Sequence, residues 1–431
     1  MKHYRQPDVD RRHFLWTAAA AGAFALSGAQ RLAAQDALPT EILVNTTTVG
    51  IQDQATVAAL FASRQFIVTW VNRPDATVRA QRFREDGLKV GGEFVVNSSM
   101  EPNTERLRPI ISNKPGGGFL VAWIERAFNP PTPRPHVHMR RYNADGAPIG
   151  PQMQINTTEI DPAYRPSIAP MIDGGFLLTW ADARPSQRIR AQRFNFDGAK
   201  TGPELGVNGV EGFHEAPLAI RLVDGNYVIA WRDDPSPPGG GALIFRIFDL
   251  EGTPQTSEIR PNISGFTGQK AMTLLDDGRF VILHVRVGVQ SDLGVLQSII
   301  EANIYEPSGA VSNLQFTATS ERGISCSSPA VAPLPGGRFL ASWIQKSAET
   351  FSTSPTVRAR VLSASQGRLG EEVQANSAVA PNRFNAAAAT ISSPGESEVA
   401  FVTWDDDSRS GGDASDTAVH GRSLSITSAG L

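Results

Sequence analysis

Charged side chains recur at two matched places along this sequence. The first place directly follows a short apolar run and holds Arg73, Glu125, Arg126, Asp182, Arg184, Arg232, Asp233, Asp234, Arg286, Lys346 and Asp405 to Asp407. The second place precedes or opens another short run and holds Arg106, Arg108, Tyr164, Arg165, His214, Glu215, Lys270, Arg322, Arg383 and Phe384. Arginine offers planar, bidentate recognition of carboxylates and sulfates, and mixed arginine and carboxylate rings suit an anionic or polyhydroxylated ligand. Arg108, Arg165, Glu215, Lys270 and Arg383 are therefore the candidate ligand contacts.

Other chemistry is less well supported. Asp405, Asp407 and Asp413 offer hard oxygens for calcium in a Gly/Ser-rich stretch, without the alternating order of an EF-hand loop. Calcium is thus the one metal kept in view, and no other cofactor is expected. His136 and His138 share one face of a strand, but two histidines without a third ligand make a poor zinc site. Cys326 is the single cysteine and has no histidine beside it, which reads as a buried small residue. There is no HExxH, GxSxG, Walker A or CxxC sequence. Carboxylate pairs for glycosidic chemistry remain open, because separate parts of a repeat fold can supply them.

The elements that must position these residues are repeats. Six apolar runs end in tryptophan: FIVTW at Trp70, FLVAW at Trp123, FLLTW at Trp180, YVIAW at Trp231, FLASW at Trp343 and FVTW at Trp404. A seventh, FVILH, ends at His284. Neighbouring landmarks lie between 51 residues (Trp180 to Trp231) and 61 residues (Trp343 to Trp404) apart. A recurrence this long marks a repeat architecture. The copy from Pro166 to Asn208 parses into four short strands, PSIAPM, FLLTW, RIRAQRF and PELGVN, with turns at Asp173-Gly174-Gly175 and Asp197-Gly198. The Asp-Gly turns supply the positive φ that short hairpins need. A strand with no polar face is covered on both sides, so the meanders must stack. One tryptophan per repeat then reads as packing between neighbours rather than as a sugar platform.

The last copy stops after its third strand, and its fourth is found near the start of the chain. Glu41-Ile42-Leu43-Val44-Asn45-Thr46 matches Glu93-Phe94-Val95-Val96-Asn97-Ser98. The expected fold is all-β: a seven-bladed β-propeller of four-stranded antiparallel blades, its ring closed by the N-terminal strand joining the last blade. The tight turns fall on one face and the long connections on the other, which puts the candidate residues around the mouth of a central channel. Variable loops over a rigid scaffold are where binding residues usually sit.

The phrase DGGFLLTW…IRAQRFNFDGAKTGPELGVN resembles repeats of secreted bacterial hemolysin-type, calcium-repeat proteins. The likeness covers residues 41 to 425 and fades in the fifth to seventh copies. It implies a fold more than an activity. The chain lacks the glycine–aspartate nonapeptides that bind calcium in those proteins, so calcium dependence is not carried over. Sialidase boxes and the repeats of quinone-dependent dehydrogenases are also missing. At the N-terminus, Arg11-Arg12-His13-Phe14-Leu15, an apolar stretch from Ala18 to Leu26 and Ala33-Ala34 resemble a twin-arginine export signal, with Asp10 in place of the usual Ser or Thr. That apolar core is too short to span a bilayer permanently. The organisation expected is therefore a signal over residues 1–34 and one propeller domain over residues 35–431, periplasmic or secreted and without stable membrane insertion.

The formal net charge of -3 over 431 residues supplies no basic field for nucleic acid. These readings lead to an exported monomer that binds a small molecule, glycan or protein through its variable face without catalysis. The alternative is an extracellular carbohydrate-active hydrolase or lyase with its site at the channel mouth. An enzyme should bring catalytic groups together in one cleft. A binding module should show a shallower patch with no strongly displaced titratable group.

Overall fold

The computed structural model describes residues 41–431 except segments 99–102, 115–116, 129–134, 184–187, 210–211, 235–240, 291–295, 320–323, 348–353, 378–379, 393–396, 410–412 and 414–415. The export signal expected over residues 1–34, together with Arg184 and Arg322, lies outside the described residues.

Alternating apolar runs punctuated by Asp-Gly turns fold as antiparallel meanders. After β1 (Ile42–Leu43), the first meander is β2 (Gln52–Leu60), β3 (Gln65–Asn72), β4 (Thr77–Arg84) and β5 (Lys89–Val95). The second is β6 (Thr104–Asn113), β7 (Phe119–Ala127), β8 (His136–Tyr142) and β9 (Pro148–Gln154). The third is β10 (Ser167–Pro170), β11 (Phe176–Ala181), β12 (Ile189–Phe194) and β13 (Lys200–Gly206). A three-stranded sheet follows, of β14 (Phe213–Arg221), β15 (Tyr227–Asp234) and β16 (Ala242–Phe248), with Ile259 and Pro254 bridging to Phe245 and Phe248 where a fourth strand would lie.

Next come β17 (Phe266–Leu274), β18 (Phe280–Gln290), β19 (Leu296–Tyr305) and β20 (Val311–Thr317), then β21 (Ile324–Leu334), β22 (Arg338–Ser347), β23 (Thr356–Ser363) and β24 (Gly367–Gln374). These two meanders join into one eight-stranded sheet through a single parallel bridge, Ser298 to Ser325. The last sheet is β25 (Arg383–Ile391), β26 (Glu398–Asp406) and β27 (Ala418–Ile426), completed by β1. The fold is a β-propeller with four-stranded antiparallel blades. Seven separate blades were expected, and the hydrogen bonding corrects this. Among the described residues five sheets stand alone, one of them three-stranded, and the sixth is the fused sheet of eight. Fusion follows from Ser298, whose hydroxyl bonds both the Cys326 N–H (2.7 Å) and the Cys326 carbonyl (3.0 Å) across the gap.

Each of the six tryptophans that end apolar runs is buried against the preceding sheet. Trp180 lies among Leu120, Ala122 and Val137, while Trp123 lies among Ile67, Val78 and Ala80. His284 takes the tryptophan place in the fifth repeat, fully buried, and burial pulls its imidazole down to about 4. Its neighbours are Phe266, edge-on at 6.1 Å, and Glu301 at 3.9 Å.

The recurrent wording of the fourth strand has two physical jobs. The asparagine that ends it reaches back to the third strand. Asn97, Asn156, Asn208 and Asn376 accept from the N–H groups of Val78, Val137, Ile189 and Val357 at 2.7–2.9 Å. The glutamate four residues earlier reaches sideways to the neighbouring repeat. Glu93 accepts from Thr46 and Thr47, Glu204 from Thr157 and Thr158, and Glu258 from the Gly209 N–H.

Both devices extend to β1. Asn45 accepts from the Val419 N–H at 2.9 Å, and Glu41 accepts from Ser377 at 2.6 Å. The N-terminal strand therefore pairs with the last sheet, Ile42 opposite Gly421 and Leu43 opposite His420. Phe401 of that sheet packs on Phe66 and Phe83 of the first. No helix among the described residues is long and apolar enough to cross a membrane.

Candidate active site at the channel mouth

The innermost strands β2, β6, β10, β14, β17, β21 and β25 surround a central channel enclosing about 560 Å³. Six of them break register where they leave the mouth. The shifts fall after Asp53, Leu107, Glu215, Phe266, Ser327 and Phe384. Inside each break one residue takes left-handed backbone: Gln54 (φ 62°), Arg108 (49°), Ala216 (51°), Gly268 (90°), Ser328 (51°) and Asn385 (55°). Five of these carry side chains, and such a conformation costs of order 1–3 kcal/mol for a non-glycine residue. A bulge of this kind frees backbone groups and re-aims side chains.

Neighbouring repeats satisfy the freed groups. The N–H groups of Gln54 and Ala55 donate to Asp405 at 2.6 and 3.1 Å, and Asn385 Nδ2 donates to the same carboxylate at 2.6 Å. The Gln54 side chain accepts from the Arg108 N–H, and Gln269 accepts from the Ser328 N–H at 2.7 Å. Two groups of side chains result.

On one side stand Arg108 and Arg165. Arg108 Nε donates to the Pro162 carbonyl at 2.8 Å, and Arg165 reaches the Gln54 carbonyl at 3.4 Å. Burial, and then the neighbouring Arg108, pull Arg165 down to about 10. Asp405 is pushed up to about 7 by burial, with the Asp53 charge adding to the shift. Asp53 itself pairs with Arg73 at 2.9 Å, and Arg73 also pairs with Glu105 at 3.0 Å.

On the other side Glu215 accepts from Arg232, and Tyr164 lies close enough to feel its charge. Burial, and then Glu215, hold the Tyr164 phenol above its ordinary value. Lys270 lies two residues past Gly268 and donates from Nζ to the Ala216 carbonyl at 2.5 Å. Burial pulls its amine down to about 7, against the attraction of Glu215. Gly268 leaves room for the Arg232 stem, since a Cβ there would lie 2.6 Å from Arg232 Cδ.

The structure thus brings Arg108, Arg165, Glu215 and Lys270 to the mouth. Arg383 is placed elsewhere. It donates to the Pro355 carbonyl, lies 3.5 Å from Asp406, and lines a separate cavity of about 420 Å³ with Lys346 and Phe384. The three candidate calcium ligands have separate partners: Asp405 holds the bulge groups, Asp407 accepts from Asn382, and Asp413 accepts from Asn45. Among the described residues, Glu41, Asp406 and His420 converge instead, with ligand atoms within 4.8 Å. There the Arg383 guanidinium already provides positive charge beside Asp406. Despite burial, hydrogen bonding and charge from His420 hold that carboxyl well below its usual range.

Gln54, Gln269, Ser328 and Asn385 escaped the sequence reading because they are uncharged. A signal existed in Arg108-Pro109, Arg165-Pro166, Ala216-Pro217 and Ser328-Pro329. Proline cannot donate to a ladder, so its recurrence at one strand entry marks a break.

No protein-family model matches this chain, and no curated protein matches it by sequence. Solved structures match its fold. A protein of unknown function from Dyadobacter fermentans is 11% identical, with a TM-score of 0.52 over 90% of this chain and 99% of that one. An ulvan lyase, described as founding a new polysaccharide lyase family, is 10% identical, with a TM-score of 0.51 over 89% and 94%. An α-L-arabinofuranosidase of Fusarium graminearum, solved with arabinobiose, is 12% identical, with a TM-score of 0.50 over 90% and 97%.

Proposed function

We propose that this protein is an exported carbohydrate-active enzyme, a lyase that cleaves an acidic polysaccharide at the channel mouth. One observation carries the reading: Lys270 and Tyr164 flank the same Glu215–Arg232 pair, and their environments push their protonation in opposite directions. Displaced pairs of this kind identify acid and base partners. The expectation of binding without catalysis required a mouth free of strongly displaced groups, and Lys270, Arg165 and Asp405 do not meet it. Structural neighbours that act on polysaccharides support the choice.

In this reading Arg108 and Arg165 hold the uronate carboxylate and stabilise the charge that develops on it. The neutral Lys270 amine takes the proton from C5. The C5–H electron pair forms the C4–C5 double bond, the C4–O bond breaks, and the departing oxygen takes a proton from the Tyr164 phenol. A hydrolase would instead use Asp405 as acid and Asp53 as its partner. Asp405 suits that role poorly, because it is fully buried and occupied by three N–H donors.

The test is a panel of uronate-containing polysaccharides, read by the ultraviolet absorbance of unsaturated products and in parallel by reducing-end release. Absorbance should rise, with a rate that increases with pH through about 7 as Lys270 loses its proton. Lys270→Ala should lower kcat by about 10²–10⁴-fold. Reducing ends without unsaturated product would replace the lyase with the hydrolase. Neither signal on any polymer would remove the enzyme reading.

A further inference from the structure

Below the polar mouth the channel changes character. Ile111, Ile168, Leu218, Met272, Val331 and Ala388 line it, one from each of six inner strands. Each is only partly buried, while the next residue on its strand is either packed into the sheets or likewise half-covered. Several polar side chains in this belt are already engaged by the protein. Ser167 Oγ accepts from the Ala219 N–H at 3.0 Å, and Thr390 Oγ1 donates to the Pro333 carbonyl at 2.5 Å.

The belt's side chains offer an apolar guest more packing surface than they offer water polar partners. The volume of about 560 Å³ lies within the range of small-molecule sites.

The two ends differ. Arg165 lines the channel at the mouth, close enough to Arg108 to feel its charge. Asn113 and Arg221 stand at the opposite ends of their strands. Beyond them, on the turns that follow three inner strands, Phe61, Ile172 and Val223 are each about half exposed, beside the exposed Asp173 and Asp224. Phe61 also lines the channel. A Cβ at Gly225 would touch Ile172 at 3.3 Å, so the turns carrying Ile172 and Val223 adjoin.

We propose that the channel is a binding site for a single-chain anionic amphiphile, a long-chain carboxylate whose head is held by Arg165 and Arg108 and whose tail runs down the apolar belt. Arg165 at the mouth of an apolar tube, with Arg108 beside it, complements such a molecule at both ends: charge at the head, alkyl surface along the tail. The proposal does not rest on the lyase reading. A chain inactive on every polysaccharide could still hold an acyl chain, and an active lyase could have an empty channel.

The experiment combines native mass spectrometry of the purified protein with titration by a fluorescent polyene fatty acid. Expected is either a co-purified fatty acid or saturable binding of one probe per chain, displaced by palmitate. The matching alcohol should bind about tenfold more weakly, the effect of losing one charge-assisted contact. Ala388→Phe should abolish binding by filling the belt. Arg165→Gln, which keeps most of the packing, should weaken the acid about tenfold and leave the alcohol unchanged. Arg221→Gln should have no effect. Absence of both co-purified and titrated lipid overturns the proposal, as does binding that survives Ala388→Phe in a variant with an unchanged melting temperature. Equal affinity for acid and alcohol overturns the assignment of the head.

Discussion

The third repeat and the fifth meet the same packing problem with different side chains. In the third, Trp180 fills the space against the preceding sheet and Asn208 caps Ile189 at 2.9 Å. Gly175 lets the second strand start hard against the third, since a Cβ there would lie 2.1 Å from the Phe194 carbonyl. In the fifth, His284 stands for the tryptophan and Thr319 for the capping asparagine. The strand whose start the asparagine would have capped, β19, instead begins earlier and meets the next repeat through Ser298 and Ser325. Loss of one cap thus accompanies fusion of two sheets. The mouth draws on both kinds of repeat: Arg108 and Arg165 come from regular ones, Lys270 from the degenerate one. Regularity holds the ring, and drift from it supplies the unusual amine.

The largest effect expected from breaking this contrast concerns the closing strand, which repeats the regular wording. Deleting residues 41–46 removes the Asn45 and Glu41 contacts and leaves β27 with an open edge, a template for association. Size-exclusion chromatography should show oligomers and calorimetry a lower melting temperature. A deletion variant that elutes and melts like the parent would mean the ring does not depend on this strand.

The next effect compares Trp180 with His284. Trp180→Ala should cost about 3–5 kcal/mol in denaturant titration. His284 should matter through pH instead. Its folded value, about 4, lies below the unfolded 6.5, so the unfolded chain binds the extra proton between those limits. Stability from this residue is therefore complete above pH 6.5 and is lost as pH falls towards 4, by up to roughly 3 kcal/mol. His284→Phe should flatten that part of the profile. An unchanged slope would show that the imidazole is not held neutral.

The smallest effect sharpens the comparison of caps. Asn97→Ala leaves the buried Val78 N–H without its acceptor and should cost about 1–3 kcal/mol. Thr319→Ala should cost less than Asn97→Ala. Equal losses at both positions would remove the distinction drawn between regular and degenerate repeats.

Much of this architecture was legible in the sequence, and what escaped has physical causes. Tryptophan spacing carried the repeats, because a large buried aromatic cannot drift without opening a cavity. The Glu41–Asn45 match carried ring closure, because the side chains that recur are those that bond between strands. Fusion of the two meanders was not legible: it turns on the Ser298 hydroxyl, and serine is common on any strand. The mouth was read only by charge. That found Arg108, Arg165, Glu215 and Lys270 but missed Gln54 and Gln269, which are neutral and hold the backbone. Charge also drew Arg383 into the same set, though its guanidinium is committed to Asp406 and Pro355.

The closing strand also sets an order of events in time. The Asn45–Val419 bond joins positions 374 apart, so it forms only once nearly all of the chain has been made. Until then the last sheet lacks its outer strand, and the first repeat lacks the aromatic cover of Phe401. Completion is the step with the longest loop to close, and long-range pairing of this kind is slow. A nascent chain therefore waits as an open arc until the final strands arrive.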